Sequence, residues 1–203
     1  MLIAANLIPL YGVFRQSWTV FPLIFLFWME NLVIGALNVP QMLFASPFDR
    51  KTWIAKLLMI PFFCFHYGVF ALGHGFFVLL IFGRPSMGRM VLPTPALIAR
   101  VIREEKLEWA LIALAMSHVF SVGWNYFRNR EYLATSLEKL MVAPYSRVII
   151  LHVTLILGGF LVMTFNSPLV GLILFVIVKT VVDARMHIRE HPQAGKSTYT
   201  LEM

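Results

Sequence analysis

From residue 57 to residue 82 the chain reads LLMIPFFCFHYGVFALGHGFFVLLIF, without one charged side chain. An α-helix needs about 20 mostly apolar residues to cross the hydrocarbon of a bilayer, and this run exceeds that length. A soluble domain carries roughly a quarter charged residues. Here only 13% are charged, and they fall in clusters between apolar runs of similar length. Such a distribution belongs to a polytopic membrane protein.

Six apolar segments can be marked, at about residues 2–14, 19–45, 54–82, 107–127, 147–165 and 168–187. The expected fold is an all-α, polytopic transmembrane helical bundle of about six spans, a single domain over residues 1–187. The first segment is short and holds Asn6 and Pro9, so it crosses obliquely or in part. It lacks a basic leading stretch and is followed at once by another apolar run, unlike a cleaved signal. Thr94-Pro95 opens an amphipathic stretch, about 95–106, with Leu97, Ile98, Val101 and Ile102 on one face, which predicts a helix lying in the interface. The connection RNREYLATSLEKLMVAPYSR predicts a short surface helix ending before Pro144, and residues 188–203 read as a disordered tail.

Basic residues set the expected orientation. With both termini cytoplasmic, that side holds Arg50, Lys51, Lys56, Arg128, Arg130, Lys139, Arg147, Lys179, Arg185, Arg189 and Lys196. The opposite side holds the smaller set of Arg15, Arg84, Arg89, Arg100, Arg103 and Lys106. The excess favours that topology. The net charge of +7 suits basic loops and calls for no nucleic-acid partner. Cys64 is the single cysteine, which excludes an internal disulfide and a thiolate cluster, and it reads as a small buried apolar residue.

Ionisable groups inside hydrocarbon are costly, and by default they mark sites. Glu30, His66, His74, His118, His152, Asp183 and His187 all fall in or at the end of apolar segments. Counting helical rise puts Glu30, His66 and His118 near mid-membrane, His152, Asp183 and His187 in the inner third, and His74 nearer the outer face. Asp183 and His187 are four residues apart and can chelate one ion, although Lys179, four residues back, equally pairs with Asp183. The expected site is a divalent transition metal held by His66, His118, His152, Asp183 and His187, with His74 and Glu30 as secondary candidates. Mixed imidazole and carboxylate donors suit Zn²⁺ or Fe²⁺ ahead of Mn²⁺, and the lack of thiolates disfavours Cu(I). Glu30 is the candidate general base or proton acceptor. Each residue also has a plain role. His66 can bond a carbonyl or hydroxyl, and His74, between Gly73 and Gly75, can join helices. His118 can share a polar stripe with Ser121 and Asn125, and Glu30, Asn31 and Asn38 can meet Asn6.

The phrases WMENLVIG, FHYGVFALGHG, SHVFSVGWNY, SRVIILHVTLILGGF and KTVVDARMHIREH together resemble a bacterial integral-membrane family, the domain of unknown function numbered 6498. The resemblance covers nearly the whole chain. It implies the span count and a bacterial inner-membrane location, but no activity and no residue roles. Rhomboid proteases need a GxSG motif and membrane fatty-acid hydroxylases use HxxHH boxes; neither motif occurs. Paired haem ligands of transmembrane b-type cytochromes stand 13–14 residues apart by that family's pattern, whereas His66 and His74 are closer. Three functions are therefore expected in turn: a metal protein, extending to a metal-dependent intramembrane enzyme that uses a zinc-activated water; a proton or divalent-metal transporter or channel; and a structural or b-type haem protein. The expected partners are the bilayer and, for a transporter, further copies in a homo-oligomer.

Overall fold

The computed structural model describes residues 20–83 and 92–165. The expected spans at 2–14 and 168–187, with Asn6, Asp183, His187 and the tail, lie outside these residues. Every regular element among the described residues is helical. In chain order they are α1 (Val20–Phe44), α2 (Arg50–Phe82), α3 (Pro95–Glu104), α4 (Glu108–Ser121), α5 (Leu137–Val142) and α6 (Tyr145–Phe165). α4 runs on without a break into a π-helical turn, Val122–Arg128, and a single 3₁₀ turn, Glu131–Leu133, follows. Four stretches are long and apolar enough to cross a membrane: Val20–Phe44, Arg50–Phe82, Glu108–Arg128 and Leu137–Leu157. The chain is read accordingly as a helical membrane protein, its four described spans matching the second to fifth expected from sequence.

α1 is the central helix. It packs against α2, α4, α5 and α6, and it is buried along most of its length. Its antiparallel contact with α2 is made by two matching locks. The Trp28 ring lies over Gly75 and its Nε1–H donates to the Ala71 carbonyl at 2.7 Å. The Tyr67 ring lies over Gly35 and its hydroxyl donates to the Asn31 carbonyl at 2.9 Å. In each lock an aromatic from one helix covers a glycine on the other and bonds the carbonyl four residues before it. Small residues let backbones approach in membranes, and an indole or phenol buried there needs a partner for its polar tip. Beyond these locks, Asn38 Nδ2 donates to Leu140 O at 2.8 Å and Tyr126 Oη to Gln41 O at 2.7 Å, tying α5 and the π turn to α1.

The connections are built by capping. Lys56, buried on α2, donates from Nζ to the carbonyls of Leu43 and Ala45 at 2.9 and 2.6 Å, satisfying the end of α1. The Phe48 and Trp53 rings face the same ammonium. Asp49 caps α2 by accepting from Thr52 N, and Thr52 holds its carboxyl below the usual carboxylate range. Thr94 caps α3, with Pro95 in the first turn as the sequence predicts. α3 ends in a Schellman turn: Lys106 is left-handed (φ 56°), its N–H meets Arg103 O, and Leu107 N–H reaches back to Ile102 O. Leu107, fully buried, anchors that turn to the core.

Cys64 does not take the buried place expected of it. It is exposed on the outer side of α2, as are Phe65, Val69 and Leu72, a face suited to lipid. Gly35→Ala and Gly75→Ala are each expected to destabilise the fold by about 1–3 kcal/mol, because a Cβ there meets Tyr67 or Trp28. Gly68→Ala, where a Cβ meets open space, is expected to be neutral or mildly stabilising. Thermal unfolding of the three variants in detergent checks the contrast.

Candidate functional site

Glu30 stands in the middle of α1, about 21 Å of helix from Phe44. Its side chain is 10% exposed and its Oε1 accepts from two other helices. His118 Nε2 on α4 lies at 3.0 Å and Arg147 Nη1 on α6 at 3.4 Å. A carboxylate in a dry interior is stable only when charge and donors meet it, and here both come from helices distant in sequence. Arg147 remains charged at any physiological pH, so it balances Glu30 permanently. His118 brings an imidazole, whose ring nitrogens can each donate or accept according to the tautomer.

Arg147 is the residue that sequence reasoning misplaced. It was expected at the cytoplasmic edge as the first residue of a span, because Pro144 marks a break. The helix instead begins below the break. Leu137–Val142 lies beside α1 at the level of Asn38, so the chain is already inside the bundle when Tyr145 opens α6. The apolar LMVAP before Tyr145 is the signal that points to this depth. Arg147 therefore counts as an interior charge rather than a loop charge.

The histidines form pairs. His66 Nδ1 shares a 2.6 Å hydrogen bond with the Tyr145 hydroxyl, and its ring stacks on Phe62. His74 Nε2 lies 3.2 Å from His152 Nδ1, and His74 Nδ1 lies 2.7 Å from the Phe70 carbonyl. Both pairs join α2 to α6, which run in the same direction. Tyr145 and His152, seven residues apart, share one face of α6, while Arg147 projects from another. His152 thus sits level with His74 rather than in the inner third. Among the described residues, no three His, Cys, Asp or Glu side chains come together as a metal-binding group. The expected ligands His66, His118 and His152 meet Tyr145, Glu30 and His74 respectively.

The polar stripe expected on α4 is interrupted. Asn125 Nδ2 reaches Ser121 Oγ at 3.3 Å, but Asn125 is exposed and Tyr126 is buried in its stead. The π turn advances the chain by more residues per turn than an α-helix, which carries Tyr126 onto the inner face. Asn31, beside Glu30, is buried; its Nδ2 donates to Phe27 O, and its Oδ1 has no hydrogen-bond partner among the described residues.

Arg147→Met is expected to cost about 3 kcal/mol, since it strands a buried carboxylate. In a Glu30→Gln background the same change is expected to cost much less. A double-mutant cycle of unfolding free energies in micelles measures the difference.

A model for a family of unknown function (DUF6498) matches residues 1–200, and the chain belongs to that family. No curated protein and no solved structure matches it.

Proposed function

We propose that this member of the DUF6498 family is a proton-handling protein of the bacterial inner membrane, a transporter or channel in which Glu30 and His118 form the relay. The observation that carries this reading is the sharing of one buried Glu30 oxygen between His118 and Arg147. Three properties make the group suited to the task. The carboxylate and imidazole are 3.0 Å apart, within range for direct proton exchange. They lie on different helices, so a small shift of α4 against α1 opens or closes the contact. Arg147 compensates the carboxylate whenever the proton sits on His118 or has left the pair.

Further proton-exchanging groups lie along α6 on either side of Arg147. Tyr145 bonds His66, and His152 bonds His74. Both pairs lie on a face of α6 other than that of Arg147 and stand apart from the relay. The relay reading takes the topology expected from sequence: six spans with both termini cytoplasmic, completed by the segments at 2–14 and 168–187. A carboxylate already engaged by two donors is poorly placed as general base for a metal-bound water. The intramembrane enzyme is therefore the less supported use of Glu30.

Purified chain in proteoliposomes, with a pH-sensitive dye inside and a potassium gradient as the driving force, is expected to show proton flux above empty vesicles. Glu30→Gln and His118→Ala are each expected to lower it by about tenfold or more, with Glu104→Gln unchanged. Undiminished flux in Glu30→Gln sinks the relay. Reporter fusions at residue 203 and within 84–91 are expected to report cytoplasm and periplasm respectively.

A further inference from the structure

His74 and His152 stand apart from the Glu30 group, and their protonation can be worked out from their partners. The Phe70 carbonyl only accepts, so the His74 Nδ1 at 2.7 Å carries a hydrogen. A neutral His74 then has its lone pair on Nε2, the nitrogen 3.2 Å from His152 Nδ1. His152 must therefore donate from Nδ1, which leaves its own Nε2 bare. A ring whose N–H is held by a backbone carbonyl, with the opposite nitrogen free to bind, is the arrangement that orients metal-bound histidines.

We propose that His74 and His152 form a two-histidine site for a divalent transition metal ion, Zn²⁺ foremost, held between His74 Nε2 and His152 Nδ1. Two nitrogens bound at 2.0–2.1 Å in a tetrahedral zinc site stand about 3.4 Å apart, so the observed 3.2 Å needs a few tenths of an ångström of adjustment together with a turn of the two rings, on the order of 35° each from the hydrogen-bonded line, to aim both lone pairs at the ion. Both ligands sit inside long helices, which fixes their separation better than a loop could. The rings meet at 73°, so their planes do not block one another around a common ion. His74 is 7% exposed and His152 is exposed, which leaves the remaining coordination positions on the His152 side. The proton balance is simple. On binding, His152 moves its hydrogen from Nδ1 to Nε2, and both rings stay neutral, with no net proton released. Imidazole donors without thiolate suit zinc, and Co²⁺ serves as its coloured substitute.

The site does not rest on the Glu30 relay, because Glu30→Gln leaves both ligands in place. The test uses the full chain purified in nanodiscs with a non-histidine affinity tag, dialysed against micromolar Zn²⁺ and assayed for retained metal. A Co²⁺ titration read by visible absorption runs alongside. About one zinc per chain is expected in the wild type, in Glu30→Gln and in His66→Ala. His74→Ala and His152→Ala are expected to lose affinity by about tenfold or more, and His152→Asp, which keeps a ligand, to recover part of it. His152→Asp also keeps the proposal testable should an alanine variant fail to fold. Zinc retention equal to wild type in both alanine variants overturns the site. So does a wild type that retains none and gives no cobalt spectrum, which reduces the contact to a hydrogen bond between helices.

Discussion

The two aromatic-on-glycine locks between α1 and α2 set the geometry on which the rest of the bundle depends. Hydrocarbon gives helices no hydrophobic reason to associate, so close packing and internal hydrogen bonds must hold them. Trp28 over Gly75 and Tyr67 over Gly35 supply both at two levels of the same interface. With α2 fixed on one side of α1, Glu30 is left facing α4 and α6. Among the described residues, the carboxylate is met by what those helices present at its depth, His118 and Arg147.

The remaining polar contacts divide by kind. Asn38, Tyr67, Trp28, Tyr126 and Lys56 all donate to backbone carbonyls, which costs no partner side chain and tolerates drift in sequence at the accepting position. Glu30, His118 and Arg147 instead depend on one another, as do His66 with Tyr145 and His74 with His152. A fixed partner is a heavier constraint than a carbonyl. At those side-chain pairs a change at one position strands a polar group at another, whereas the carbonyl contacts depend on one side chain each.

Much of the fold was legible because apolar length and charge clustering are one-dimensional signals. The spans at 19–45, 54–82, 107–127 and 147–165 match helices within a few residues, and the Thr94-Pro95 start of α3 was read from capping chemistry alone. That Glu30, His66, His74, His118 and His152 would need polar partners was legible from the apolar segments that carry them. Their partners were not. Arg147 sits behind a proline that mimics a membrane boundary; the apolar LMVAP hints at its depth, and the Asn38 hydrogen bond to Leu140 O reveals it. Tyr126 comes inward through a π turn that leaves no mark in the sequence, displacing the Asn125 that α-helical counting favours. One sequence also cannot say which histidines meet, because rotation about each helix axis is set by neighbours far along the chain.

The group around Glu30 also dictates an order of manufacture. Its partners follow it by 88 and 117 residues. At 5–20 residues per second a ribosome needs about 6–23 seconds to reach Arg147 after making Glu30. Throughout that interval the hairpin of α1 and α2, complete with both its locks, carries a carboxylate that Arg147 has not yet met. A chain stopped short of α6 would lack that arginine permanently, so balancing the charge is tied to completing the bundle.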